Sequence, residues 1–273
     1  MKKIGFIDLF IDEWHANNYP NWFRSAPRAA EFEPGFAWEE APRGGIPLTE
    51  WCKIFNMTPA GSIEEVIENS DCICVLAPSN PEVHARLAEL PLRSGKPVYI
   101  DKPFASSRAE AEAMFELADK YHTPLMSSSA LRFADELISG EVKKIAPRIM
   151  ATTGGGVTFD EYGIHQLEMI VAAMGTEVKD LKLSGDAEKL SLTLEYADGR
   201  IGQVLYAPRF AFTINAAGTE GSVHFPAVNH IFENLISEMM NFFATGRSPI
   251  APEETITIAG LLEKSCAMLH NHR

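Results

Sequence analysis

The sequence has no run of the eighteen or so uninterrupted apolar residues that a membrane-spanning helix needs, so a helical membrane protein is excluded. It lacks any cluster of Lys and Arg. With 24 basic and 37 acidic residues the formal charge is −13, which repels a phosphate backbone and excludes nucleic acid as a partner. Glycine (19) and proline (17) are too few among 273 residues for a collagen-like or low-complexity chain. Met1-Lys2-Lys3 opens like a signal peptide, but Asp8 and Asp12 interrupt the apolar run behind it, so nothing marks export. Cysteine is scarce: Cys52, Cys72, Cys74 and Cys266 complete no zinc spacing, and Cys72 and Cys74 lie too close on one strand for an ordinary disulfide. They read as reduced structural thiols of a cytoplasmic protein.

What is there divides into two domains. In the first, Ile4 to Phe10, Gly35 to Trp38, Asp71 to Ala77 and Pro97 to Ile100 are short apolar runs, the pattern of parallel strands buried on both faces. Between them Ser62-Ile-Glu-Glu65 and Ser107-Arg-Ala-Glu110 are capping boxes that start helices, and Met114, Leu117, Ala118 and Tyr121 form one helical stripe. Strand–helix alternation of this kind predicts a Rossmann-like, doubly wound α/β domain over residues 1–123. In the second, Leu192, Leu194 and Tyr196 alternate with Ser191, Thr193 and Glu195, and Asp198-Gly199 turns the chain into Ile201 to Tyr206. Ser222 to Phe225 adds a strand. Helical stripes at Phe232, Leu235, Ile236, Met239 and Phe243, and at Ile258, Leu261, Leu262 and Leu269, complete an α+β domain with a mainly antiparallel sheet over residues 124–273.

Three segments carry side chains suited to chemistry. Along Val157 to Gly175 the apolar residues Ile164, Leu167, Ile170, Val171 and Met174 fall on one side of a helix, and Glu161, His165, Glu168 and Ala172 on the other. Glu161 and His165, one turn apart, suit a carboxylate-oriented imidazole acting as general base, or an ordinary solvated face. Asp101 and Lys102 stand at the C-terminal end of a parallel strand, where open α/β sheets bind ligands, and Pro103 restricts the lysine backbone. Ser79-Asn80-Pro81-Glu82-Val83-His84 follows the neighbouring strand and reads equally as a helix start with Pro81 in its first position.

Taken together, Ser79 to Lys102, Gly155-Gly156 with Glu161-Tyr-Gly-Ile-His165, and Gly218-Thr-Glu-Gly-Ser222 resemble the Gfo/Idh/MocA oxidoreductases, the glucose-fructose oxidoreductase and inositol dehydrogenase group. The resemblance implies a nicotinamide-dependent oxidoreductase acting on a sugar, polyol or related hydroxyl compound. It carries the catalytic Lys of the family's Glu-Lys-Pro motif onto Lys102, with Asp101 replacing the Glu. The family's Asp-x-Gly-x-His motif falls on Glu161 to His165. His165 would take the hydroxyl proton, Lys102 would stabilise the developing alkoxide, and Glu161 would hold His165. The resemblance further implies a homodimer or homotetramer paired through the open face of the second sheet, either the face bearing Leu192, Leu194 and Tyr196 or its opposite.

One departure stands out. After the first strand the chain reads Asp8-Leu-Phe10-Ile-Asp12-Glu13-Trp14-His15-Ala-Asn17-Asn18-Tyr-Pro20, without the glycines that let backbone approach a cofactor pyrophosphate. Phe10 would crowd the phosphates, and Asp8, Asp12 and Glu13 would repel them. The expected cofactor is NAD or NADP, with Asp8, Phe10, Glu39, Ser79, Asn80, His84 and Asp101 as its neighbours; an acid at Glu39 or Glu40 would take a ribose hydroxyl and favour NAD. His15, Asn17 and Asn18, beside Trp14, are the expected substrate-pocket residues, and the alternative is an irregular surface loop. Asp12, Glu13 and His15 match no standard metal-ligand spacing, so no metal is expected. Two other classes stay open: a non-catalytic sugar sensor or protein-binding subunit, and a cofactor-independent epimerase or lyase.

Overall fold

Two hydrophobic periods in the sequence build two different sheets. The computed structural model describes residues 1–43 and 45–271. By their contacts these residues form two units: Met1–Ser128 with Leu235–Ala251, and Ser129–Asn234 with the segment from Pro252 onward.

The first unit contains β1 (Lys2–Asp8), α1 (Trp14–Ser25), β2 (Phe32–Glu39), α2 (Leu48–Ile54), β3 (Thr58–Pro59) and α3 (Ile63–Glu68). It continues with β4 (Cys72–Val75), α4 (Pro81–Leu92), β5 (Val98–Ile100), α5 (Arg108–Lys120) and β6 (Leu125–Met126). The strands form a six-stranded sheet in the order β3-β2-β1-β4-β5-β6, with every pair parallel. Apolar side chains on both faces of β4, all buried, explain the uninterrupted run Cys72–Val75. Both capping boxes form: Ser62 Oγ accepts from Glu65 N at 3.2 Å and Ser107 Oγ from Glu110 N at 3.1 Å. Strand order reverses between β1 and β4, and their carboxyl ends define the crevice of a doubly wound sheet.

Some boundaries differ from the sequence reading. Strand β1 stops at Asp8 rather than Phe10, and Trp14 to Pro20 is the start of α1, with Pro20 inside the helix, rather than an irregular loop. Strands β3 and β6 have two residues each, too few to show a period. Cys52, Cys72 and Cys74 are buried and Cys266 is half-buried, all four unpaired; burial pushes the Cys52 thiol up to about 12, which keeps it protonated and unreactive.

The second unit opens with a 3-10 turn over Ala130–Phe133. It contains α6 (Asp135–Ile138), α7 (Glu141–Lys144), β7 (Pro147–Gly154), α8 (Phe159–Met174), β8 (Val178–Gly185), β9 (Leu190–Tyr196), β10 (Ile201–Tyr206), β11 (Thr213–Gly218) and β12 (Gly221–Phe225). Helix α9 (Ile231–Thr245) begins in this unit and ends in the first, and α10 (Pro252–Asn271) returns to the second. The sheet runs β12-β11-β7-β10-β9-β8, antiparallel except for the β7–β10 pair. Leu190, Leu192, Leu194 and Tyr196 are buried in the core with α8, so that face is closed and Ser191, Thr193 and Glu195 lie on the open one.

The expected boundary at 123/124 precedes β6, and the sequence gives no sign that Leu235–Ala251 joins the first unit. There Phe243 packs on Phe23 and Phe32, with ring centroids 6.3 Å apart in each pair. An apolar helical stripe records that a helix is buried but not which core it fills. The last two residues of the expected 124–273 domain lie outside the described residues.

Candidate active site

At the carboxyl edge of the first sheet the backbone donors are met by acidic side chains. Asp8, at the end of β1, is wholly buried, and its Oδ1 accepts from Ala77 N at 3.0 Å and Phe10 N at 3.4 Å. Oδ2 has no hydrogen-bond partner among the described residues. Burial, reinforced by nearby Glu13, raises its pKa well above its ordinary value, which favours the neutral acid over a charge repelling phosphate. Glu39, at the end of β2, accepts from Ile11 N at 2.9 Å. Glu13 is the N-cap of α1; its carboxylate accepts from His15 N at 2.7 Å and from Ala16 N. Spaced as Gly-x-Gly-x-x-Gly, positions 8, 10 and 13 hold Asp, Phe and Glu.

His15, in the first turn of α1, places Nδ1 against Asp101 Oδ2 and stacks on Tyr19 at 5.3 Å between centroids. This buried pair ties α1 to the end of β5. Asp101 Oδ1 also accepts from Lys102 N at 2.8 Å, which fixes the lysine backbone; the Lys102–Pro103 peptide is cis. Burial pushes the Asp101 carboxyl up, but His15 and Lys102 outweigh it and its pKa falls below the ordinary value. Lys102 is 8% exposed, so the sheet edge holds a mostly buried ammonium beside an ionised carboxylate.

Other expected neighbours take structural partners. His84 is fully buried, with Nε2 2.6 Å from Leu76 O and Nδ1 3.1 Å from Phe104 O, so it joins α4 to the strand ends and offers no nitrogen to a ligand. Asn17 donates to Asp12 Oδ1 at 2.9 Å and accepts from Trp51 Nε1 at 2.7 Å, while Asn18 donates to Trp14 O at 2.6 Å. These amides brace α1. Asp12 Oδ2 accepts from Ile46 N at 2.9 Å. Ser79 and Asn80 remain half-exposed after β4, in a turn where Ala77 (φ 58°) and Ser79 (φ 65°) adopt the left-handed region, at about 1–3 kcal/mol each. Beside β1 and β2 a cavity of about 410 Å³ is lined by Phe10, Asp12, Glu39, Arg43, Ile46 and Leu48, with the Arg43 guanidinium 5.0 Å from the Phe10 ring centre.

In the second unit, Thr158 caps α8 by accepting from Glu161 N at 3.3 Å, and Gln166 Nε2 donates to Thr152 O and Leu205 O, which seats the helix on its sheet. Gly156 lies where an added Cβ would stand 2.0 Å from the Tyr162 ring, so only glycine lets the loop after β7 pass beneath it. His165 Nδ1 meets Ser129 Oγ at 2.7 Å, so a hydroxyl, rather than the expected Glu161, is the recorded partner of that nitrogen. Glu168 is not on a solvated face. It is 4% exposed and pairs with Arg132, which also donates to Glu254 at 2.7 Å. Neither Ser129 nor Arg132 was legible as a partner from sequence; the Ser127-Ser-Ser129 run beyond the last strand is the one signal that polar groups gather there.

Glu13 sets a pH dependence of stability. Burial raises its pKa from 4.5 to about 7, against the pull of His15 and the two backbone donors. Between these values the folded chain keeps a proton that the unfolded chain has lost, so stability falls as pH rises through the window. Asp101 and Asp12, both lowered from 3.8, act below it. Thermal melts from pH 4.5 to 7.5 are expected to show this downward trend flattened in Glu13→Gln relative to the unchanged chain.

Comparison with known proteins agrees with this architecture. Residues 35–129 match the family model described as an oxidoreductase family with an NAD-binding Rossmann fold; the match begins after the β1–α1 turn. A curated relative, dTDP-3,4-didehydro-2,6-dideoxy-alpha-D-glucose 3-reductase of Actinomadura kijaniata, is 24% identical over 188 residues, covering 58% of this chain and 54% of that protein. The chain thus spans about half the length of that relative. Among solved structures, an oxidoreductase from Agrobacterium radiobacter in complex with NAD+, L-tartaric acid and magnesium superposes with a TM-score of 0.80 at 15% identity, covering 100% of this chain and 97% of that one. An oxidoreductase of Vibrio cholerae from the Gfo/Idh/MocA family gives 0.77 at 18% identity, with 100% and 99% covered.

Proposed function

We propose that the chain, a Gfo/Idh/MocA-type oxidoreductase by its residues 35–129, interconverts a hydroxyl and a carbonyl on a sugar-like molecule with a nicotinamide dinucleotide as redox partner. The observation that carries the reading is the buried Lys102 at the carboxyl end of β5, its backbone fixed by Asp101. An ammonium in a low-dielectric edge stabilises oxygen-centred negative charge far better than one in water.

The residues present fit the dinucleotide on one condition. Backbone donors at the α1 N-terminus already hold the Glu13 carboxyl group, and so have the chemistry a diphosphate needs once that side chain yields. Phe10, Glu39 and Arg43 line the cavity at the ends of β1 and β2, suited to the adenosine half: Glu39 to a ribose hydroxyl as in NAD, Arg43 to a 2′-phosphate as in NADP. When bound, nicotinamide supplies the hydride donor or acceptor. Lys102 donates a hydrogen bond to the substrate oxygen as charge develops on it. In the second unit His165, its Nδ1 against Ser129 Oγ, is the proposed group that takes or returns a hydroxyl proton. The reading includes a cytoplasmic homodimer or homotetramer, a state that light scattering measures.

The test is nicotinamide absorbance with NADH and NADPH against keto-sugars, and with NAD+ and NADP+ against sugars and polyols, together with His165→Asn. Turnover is expected with one dinucleotide and about 10²–10⁴-fold slower in the variant. Absence of turnover and of dinucleotide binding favours the cofactor-independent alternative, and full activity of His165→Asn removes it from the reaction.

A further inference from the structure

The β1–α1 turn is satisfied from within. In a dinucleotide-binding turn the N–H groups after the first strand and at the helix start face phosphate. Here Phe10 N points to Asp8, Ile11 N to Glu39, and His15 N and Ala16 N to Glu13. Of these acids, Glu13 alone sits at the head of α1, where the fixed dipole favours negative charge and two N–H groups converge. Phe10, which would stand against phosphate, is turned toward Arg43 in the neighbouring cavity.

We infer that the Glu13 carboxylate is a built-in anion that competes with the cofactor diphosphate for the head of α1, so that binding requires an exchange of one for the other. This rests on the dinucleotide reading above and adds to it a residue that sets affinity. Two consequences follow from the geometry. Dinucleotide binding is weak in the chain as it stands, because each binding event must unseat two hydrogen bonds and place phosphate near a carboxylate. Removing the charge at residue 13 strengthens binding even though it adds no contact.

Calorimetric titration of the full chain, of Glu13→Gln and of Glu13→Ser with NADH, NADPH and inorganic pyrophosphate, at a pH above the value of about 7 to which burial raises Glu13, tests this. Serine keeps a good N-cap while withdrawing the carboxylate, and glutamine keeps its length while removing its charge. Far-ultraviolet dichroism and melting confirm that each variant is folded. At least about tenfold tighter binding of one dinucleotide by a folded variant is the expected result, as a unit charge near phosphate costs at least that much at a protein surface. Equal affinity in all three proteins overturns the competition and leaves the cofactor reading standing. No dinucleotide binding by any of them, including the folded variants, overturns the cofactor reading and the inference with it.

Discussion

If Lys102 has the proposed role, Lys102→Met is expected to lower turnover by about 10²–10³-fold while leaving the fold intact, because it would remove one preorganised donor at the oxygen where charge develops. Methionine matches the lysine stem in length and apolar character, so the loss isolates the ammonium. The residue is 8% exposed, and its backbone is held by Asp101 independently of the side chain, so the local chain keeps its course. The effect belongs to kcat rather than KM, since a contact made in the transition state alone lowers turnover without weakening the ground state. Lys102→Arg is expected to recover little, because a planar guanidinium places its donors differently from a compact ammonium. Steady-state kinetics with the better dinucleotide measures both; unchanged kcat in Lys102→Met removes Lys102 from the chemistry.

Arg132→Leu is expected to destabilise the fold by about 3–5 kcal/mol, read from urea denaturation. It strands Glu168, 4% exposed, without its counter-charge, and frees Glu254. Burial alone would lower the pKa of Arg132; Glu168 and Glu254 more than offset this and hold it charged. The penalty is that of a buried carboxylate deprived of its arginine counter-charge, so adding Glu168→Leu is expected to recover much of the loss. Exposed pairs such as Arg86–Glu40 are the contrast: breaking one costs about 0–1 kcal/mol. Equal stability of Arg132→Leu and the unchanged chain refutes the argument.

Much of the fold could be read from local signals with a physical cause. Capping boxes at Ser62 and Ser107 mark true helix starts because they satisfy orphan donors, and Asp71 to Ala77 reads as a buried strand because both its faces are apolar. The two-residue strands β3 and β6 carry no period and stayed hidden. The position of Asp101 and Lys102 at a strand end was legible for the same reason as the strand itself. Their partner was not: His15 lies 86 residues away, and neither residue type nor spacing announces a long-range pair. Glu168 shows the limit of a helical wheel, which separates apolar from polar faces but does not reveal that an arginine from elsewhere in the chain covers the polar one. Similarly, the missing glycines marked the turn after β1 as unlike a phosphate-binding loop, while the carboxylates that accept from the turn's own N–H groups depend on three-dimensional placement.

Helix α9 imposes a rule on any dissection of this molecule. A fragment that stops at Ser128 keeps every strand of the parallel sheet but strips Phe23 and Phe32 of Phe243, exposing aromatic surface that favours clumping over solubility. Neither half is therefore a portable module, and shuffling this Rossmann half onto another partner would have to carry residues 235–251 along as a separate splice.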